Sequence, residues 1–323
     1  MTFLRKALTA ACTVALAVGF SAHAADYPSK PVKIMVGFAP GGAADVLARQ
    51  VANKLQEQMG QTFIVENRPG ATGTIAASAT MKAPADGHSL MVASQSTMIM
   101  APILYDSVTI DTLRDFQPVS QMVSLPLVLV VHPDVDVSSV DELLALARAK
   151  PIHYASSGAG GPQHGAAEYF KYISKTEIEH VPYNGEATAL NDVLAGQVPM
   201  MFVNLPVVAQ HVKTGKVKAL AITSPERSPE LPDVPSIREV PGMEAFDVET
   251  WYGIFAPAGT PPDVVEKLSS ELRNALNDDD LKPKLAAQGF RIVASTNADF
   301  TTFIQKEIPR WTDLVANTNM KVD

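Results

Sequence analysis

Cysteine is almost missing from this chain: 323 residues contain one, Cys12, inside the N-terminal apolar stretch. Three positions before it stands Thr9, a poor fit to a lipid-attachment signal, so no lipid anchor is expected there. The rest of the chain has no thiol for a disulfide, a nucleophile or a Cys-based metal site. Positive charge is also scarce. Lys and Arg number 26 against 34 Asp and Glu, for a formal net charge of −8, which argues against nucleic acid as a partner. An anionic small ligand is not excluded, because local donors can oppose the overall field. Beyond the N-terminal stretch no apolar run reaches the ~20 residues of a membrane helix. Catalytic signatures are missing too: there is no G-x-S-x-G elbow, no H-E-x-x-H and no Gly-Lys-Ser/Thr phosphate loop. His132, His153, His164, His180 and His211 are scattered without metal-ligand spacing, and the acids mostly decorate helix starts. No catalytic residue, metal ligand or cofactor is assigned, and the chain is not read as an enzyme.

The N-terminus reads as a targeting segment. Arg5 and Lys6 precede the apolar stretch Ala7 to Phe20, and Ala22-His23-Ala24 supplies small residues for cleavage. Residues 1–24 are therefore expected to be a signal peptide, removed after Ala24, and the protein to be periplasmic. Removal leaves 299 of the 323 residues and takes the net charge from −8 to −10. A chain of that length, in a sequence 46% hydrophobic, suits two lobes of roughly 100–150 residues each.

Short apolar runs alternating with helical patterns predict an α/β fold. Strands are expected at Val32–Phe38, Thr62–Glu66, Ser89–Ala93, His153–Ser156, Glu177–Val181, Pro199–Val203, Val217–Ile222 and Trp251–Ala256. The continuous run Leu125–Val131 reads as a strand buried on both faces. Helices are expected at Ala43–Gln58, with Leu47, Val51, Leu55 and Met59 on one stripe, and at Thr74–Lys82. Another begins at Ser138 or Ser139, with Asp141 and Glu142 placed for a capping box. A further one follows Thr260 as cap, with Pro261 at its first position. The last, near Ala298–Ala316, contains Pro309 and is expected to kink there. Ser224 to Pro241 holds five prolines and reads as a long stiff connection.

Three glycine-rich segments join a strand to a helix: Phe38-Ala39-Pro40-Gly41-Gly42, Arg68-Pro69-Gly70-Ala71-Thr72-Gly73-Thr74 and Ser156-Ser157-Gly158-Ala159-Gly160-Gly161-Pro162-Gln163. A helix start presents free N–H groups and partial positive charge, and glycine lets a ligand approach them. Such turns suit an anion. In open parallel sheets ligands sit beyond the carboxyl ends of the strands, where these turns lie. None of the three is a nucleotide-binding pattern. Ser94-Gln95-Ser96-Thr97, Tyr183-Asn184-Gly185 and Asn204 also follow strands. His164, just past the third turn, is the one histidine expected near a cleft.

These same segments carry a family resemblance. Phe38-Ala39-Pro40-Gly41-Gly42 followed by Asp45, Val65-Glu66-Asn67-Arg68-Pro69-Gly70-Ala71 and Ala85-Asp86-Gly87-His88-Ser89-Leu90 resemble motifs of the tripartite tricarboxylate transporter receptors, or Bug receptors. So do His180-Val181-Pro182-Tyr183, Gly196-Gln197-Val198 with Met200-Met201-Phe202, Leu231-Pro232-Asp233-Val234-Pro235 and Phe255-Ala256-Pro257-Ala258-Gly259-Thr260-Pro261. They run in order from about Pro31 to the C-terminus.

The resemblance implies a two-lobed type II periplasmic-binding-protein fold with a ligand cleft between the lobes. Residues 25–124 plus 250–323 would form a discontinuous first lobe and 125–249 the second. It implies a receptor that captures a small carboxylate (a di- or tricarboxylate or an aromatic acid) and delivers it to the membrane permease subunits of a tripartite transporter, acting as a monomer. A periplasmic sensing subunit with the same ligand is the alternative. The ligand-binding residues it implies are Phe38, Ala39, Gly41 and Gly42 in the first turn and Ala71, Gly73 and Thr74 in the second. Ser94, Ser96, Thr97, Ser156, Gly158, His164, Tyr183, Val203 and Asn204 complete the expected lining. Many members have aspartate before the asparagine of the Met-Phe-Asp-Asn run. Here Val203 precedes Asn204, so a ligand amine would lack a countercharge and amine-free acids are favoured.

Overall fold

The computed structural model describes residues 27–183, 185–318 and 320. The predicted signal peptide and Asn184 lie outside the described residues. Ten strands form one continuous but sharply divided sheet. β1 (Val32–Val36) pairs in parallel with β2 (Phe63–Asn67) and β3 (Ser89–Ser94). β3 meets β9 (Glu249–Pro257) antiparallel, and β9 meets β4 (Phe116–Val131). In the second lobe β5 (Ile152–Ser156) lies in parallel between β6 (Ile178–Pro182) and β7 (Met200–Asn204). β7 and β8 (Lys218–Ile222) both pair antiparallel with β4. The joint is within β4: Pro126 pairs with Glu249 of β9, while Leu127, the next residue, pairs with Asn204 of β7.

The sequence reveals only the second half of that strand, because Leu125–Val131 is uniformly apolar. The first half carries Gln117, Pro118, Ser120, Gln121 and Ser124, and its register shifts at Pro118/Ser120 and again at Gln121/Val123. Such irregularities accommodate a proline that cannot donate to the ladder. The groups they free are satisfied from outside the sheet. The Ser120 hydroxyl donates to the Ser295 carbonyl at 2.8 Å, and the Gln121 N–H donates to Ser295 Oγ at 2.8 Å.

Helices pack on both faces in the way the periodicity predicts. α1 (Ala43–Met59) buries Leu47, Val51 and Leu55; α2 (Thr74–Met81) follows the second glycine turn. α3 (Val140–Ala149) is capped by Ser139, whose hydroxyl accepts the Glu142 N–H, while the Glu142 carboxylate accepts from the Ser138 N–H and hydroxyl. α4 (Pro162–Ser174), α5 (Glu186–Leu194) and α6 (Leu205–Lys213) each start at the carboxyl end of a strand of the second lobe. α7 (Pro262–Leu276) and α8 (Leu281–Ala287) cover the first lobe.

Thr260 is not the cap of α7. Its hydroxyl donates to the Pro257 carbonyl within the turn, and the helix begins at Pro262 after Pro261. With Thr260 as cap, Pro262 would stand at the second helical position, where it has no N–H for the hydroxyl oxygen to accept. α9 (Asn297–Ala316) continues as helix through Pro309.

α9 and β9 bind the two lobes from one side. Trp251 of β9 meets Phe300 of α9 edge to face, with ring centroids 5.6 Å apart, and Phe255 lies 5.1 Å from Phe300. Farther along α9, Trp311 packs on Gly165 of α4, where an added Cβ would come within 2.9 Å of the indole. One apolar cluster thus runs from Met91 and Phe255 through Trp251 and Trp311 to Phe170 and Phe202.

Gly253 of β9 sits where this packing is tightest. A Cβ there would overlap the buried Phe300 ring and approach the Ser120 carbonyl oxygen to 3.0 Å. Gly253→Ala is expected to cost about 1–3 kcal/mol, as overpacking in a filled core does. The urea midpoint should fall with the m-value unchanged; an unaltered midpoint would show that the ring and strand can yield.

Candidate functional site

The first glycine turn is held by a side chain that the loop itself does not contain. Asp45, in the first turn of α1 and 3% exposed, accepts the Gly41 N–H at 2.9 Å and the Arg49 Nε–H at 3.1 Å. Asn67 Nδ2 donates to Asp45 Oδ1 at 2.9 Å and to the Phe38 carbonyl at 3.1 Å. Burial pushes the Asp45 carboxyl up, but the bonds from Arg49, the Gly41 N–H and Asn67 outweigh it and hold the group below the usual range. The end of β2 and the start of α1 are thereby tied to the turn between β1 and α1, leaving Ala39, Gly41 and Gly42 exposed.

The second turn is conformationally strained. Gly70, Ala71, Thr72 and Gly73 all have positive φ, at 130°, 46°, 55° and 89°. Left-handed conformations at non-glycine residues cost of order 1–3 kcal/mol each and persist where the surroundings enforce them, commonly at ligand sites. Here the Thr97 hydroxyl donates to the Thr72 carbonyl at 2.8 Å, and the Gly73 N–H donates to the Gly70 carbonyl at 2.9 Å. Contact with the first turn is close: a Cβ on Gly37 would lie 2.6 Å from the Gly73 Cα. Ser94 and Ser96 are buried beside Thr97, in a segment that enters a π-helical turn at Ser96–Met100 rather than an open loop.

In the second lobe the third turn rests on a buried polar stack. His164 and His180 lie face to face with centroids 4.1 Å apart, and Tyr154 continues the stack 4.8 Å beyond His180. The Gly160 N–H donates to His164 Nδ1 at 3.0 Å. Ser156 Oγ accepts the Gly158 N–H at 3.1 Å and shares a 2.6 Å bond with His180 Nε2. The Tyr154 hydroxyl donates to Glu168 Oε1 at 2.7 Å, where Lys171 also pairs. Burial, then His180 and Lys171, lower the His164 pKa to about 3; burial also lowers that of His180. His164 therefore stands beneath the turn as a neutral acceptor.

The lobes approach each other at the third turn. A Cβ on Gly160 would come within 2.7 Å of Leu104 Cδ1, from the one-turn helix that follows the π-helical turn. At the base, Thr250 of β9 donates to Asn204 Oδ1 at 3.4 Å. Tyr252 of β9 is pushed up to about 12 by burial and then by the Glu186 carboxylate across from it.

The structure thus brings Phe38, Ala39, Gly41, Gly42, Ala71, Gly73, Thr74, Ser94, Ser96 and Thr97 together in one lobe. It gathers Ser156, Gly158, His164, Tyr183 and Asn204 in the other. Tyr183 points its hydroxyl to Asp192 at 2.7 Å, within the second lobe. Val203 requires correction. Its side chain is fully buried in the apolar cluster of β7 with α5 and α6, beside Ala189 and Val208, so it packs the core and does not line the cleft. Nor does the wall lack negative charge, since Glu186 carries a carboxylate to Asn204. Glu186 was legible only as an acid in the first turn of a helix, a pattern common for electrostatic reasons alone. Asp45 and Asn67 appear in the motifs, but nothing in their spacing reveals that they brace the turn. Among the described residues no three His, Cys, Asp or Glu converge to hold a metal ion, and no helix is long and apolar enough to cross a membrane.

Two α/β lobes spanned by paired antiparallel strands, with glycine-rich turns converging between them, define a solute-binding receptor of the periplasmic type. The comparison with known sequences is narrower: a profile of the tripartite tricarboxylate transporter family receptor matches residues 47–320. Protein BugT of Bordetella pertussis is 36% identical over 299 residues, covering 92% of this chain and 91% of BugT. The chain belongs to the tripartite tricarboxylate transporter receptor family. Among solved structures, Rhodopseudomonas palustris Rpa4515 with adipate is 32% identical with a TM-score of 0.76, covering 90% of this chain and 98% of that one. MatC from the same organism, with bound malate, is 30% identical with a TM-score of 0.73, covering 90% of this chain and all (100%) of that one. Receptors of this family are periplasmic.

The buried imidazoles make stability depend on pH. The unfolded chain binds protons near pH 6.5 that the folded His164 does not accept until about pH 3. Its contribution is complete above about pH 6.5 and is lost as pH falls toward the folded value, by up to about 1.4 kcal/mol per pH unit. His164→Asn keeps an acceptor for the Gly160 N–H and removes the titration. Urea midpoints at pH 5 and pH 7.5 should differ less for the variant than for the parent; equal pH dependence would mean that His164 titrates normally.

Proposed function

We propose that the chain is exported with residues 1–24 removed and, as a monomer, captures a small carboxylate for the permease subunits of a tripartite tricarboxylate-type transporter. Residues 25–124 plus 250–323 form one lobe and 125–249 the other, hinged on β4 and β9, with the acid held in the cleft between them. The observation that carries the reading is the pair of braced turns at the N-termini of α1 and α2. Helix starts offer N–H donors and partial positive charge, a natural seat for a carboxylate. The left-handed run Gly70–Gly73 supports it, since strain maintained by Thr97 is characteristic of a preformed binding loop. The adipate and malate held by the two R. palustris relatives are small carboxylates, which favours the same ligand chemistry here.

A ligand bound between folded lobes stabilises only the folded chain, by about 2.7 kcal/mol at 100-fold excess over Kd. A thermal-shift screen of mono-, di- and tricarboxylates, aromatic acids, sugars and metal cations is expected to raise the midpoint by several degrees with at least one carboxylate. Hits confined to sugars or cations would contradict the reading.

A further inference from the structure

Glu186 opens α5 directly after Gly185, in the second lobe's wall of the cleft. Its Oε1 accepts the Asn204 N–H at 2.7 Å and Gln163 Nε2 at 2.9 Å, and its Oε2 accepts Asn204 Nδ2 at 2.9 Å. Gln163 is in the first turn of α4, and Asn204 stands immediately before α6. The starts of three helices therefore converge on one carboxylate. Asn204 does not cap α6 with its side chain, because its amide is turned to Glu186. These three donors, each at a helix start, are taken by an anion of the protein itself.

Those donors stabilise the charge but do not neutralise it. Among the described residues no Lys, Arg or His lies within ion-pair distance of Glu186. The three bonds fill three of the roughly four acceptor positions of a carboxylate. Tyr252, on β9 and paired with Ser94, is near enough for the Glu186 carboxylate to add to the upward push that burial gives its hydroxyl. A second carboxylate brought to this wall would meet a like charge with its best donors occupied, and like charges in a closed site are strongly disfavoured.

We propose that Glu186 determines ligand specificity: the receptor takes an acid with one carboxylate, seated on the turns of the first lobe, and a hydrogen-bond donor or cation at its far end. An amine, amide or hydroxyl satisfies Glu186; a second carboxylate is rejected. The inference rests on the carboxylate reading above, and it departs from the diacids found in the two R. palustris relatives.

The test is calorimetric titration of the full mature chain with four- and six-carbon acids ending in carboxylate, amide, hydroxyl or ammonium, for the parent, Glu186→Gln and Glu186→Gly. Glutamine retains acceptor capacity for Asn204 while removing the charge. The parent should bind a donor-ended acid at least 10-fold more tightly than the diacid of equal length, and Glu186→Gln should shrink that ratio at least 10-fold. Equal binding of diacid and donor-ended acid by the parent overturns the inference. So does a ratio that Glu186→Gln leaves unchanged, or a uniform weakening of all acids, which would mark a purely structural role. If no acid binds any of the three folded proteins, the carboxylate reading itself fails, and this inference with it.

Discussion

The antiparallel pairing of β4 with β9 is the constraint on which the rest of the structure depends. Both strands border the joint between the lobes, and their ladder runs from Phe116–Pro257 to Pro126–Glu249. One residue farther, β4 leaves that ladder and becomes the central strand of the second sheet, between β7 and β8. β4 therefore crosses from one lobe to the other at this point. Thr250 and Tyr252, which approach Asn204 and Glu186, belong to the same ladder, so the floor of the cleft and the joint are built from the same residues. α9 bridges the lobes on one side, with Trp311 packed on Gly165.

On that frame the two walls of the cleft differ in character. The first lobe offers backbone: turns with exposed glycines, one braced by Asp45 and Asn67 and one held in a left-handed run by Thr97. The second lobe offers a side-chain network, from Ser157 through Gln163 and Glu186 to Asn204, resting on the His164–His180 stack. A backbone wall recognises a carboxylate through N–H groups whose number and direction are set by the fold. A side-chain wall can change its charge by a single substitution.

Much of this was legible in the sequence, and the reasons are physical. Parallel strands buried on both faces write themselves as apolar runs, and strand-to-helix turns as glycines, so the α/β order and the three turns could be read directly. The polar first half of β4 could not, because its bulges and its partner Ser295 lie far apart in the chain. Thr97 looked like part of an exposed polar turn and is instead a buried clasp on Thr72. Val203 stands where many family members carry an aspartate, and a motif position alone does not tell that the side chain turns into the core. Glu186 was missed because an acid at a helix start has an ordinary explanation until Asn204 and Gln163 are seen to converge on it.

The central claim is that one small acid is held between the lobes, its carboxylate on backbone N–H groups of the first lobe's turns and its other end against the side-chain network of the second. Hydrogen exchange followed by mass spectrometry reads those N–H groups directly. Saturation with the acid that most raises the thermal midpoint should slow exchange together in peptides covering residues 38–44, 70–75 and 156–164. Protection in one lobe alone, or in neither set of turns, would contradict the account.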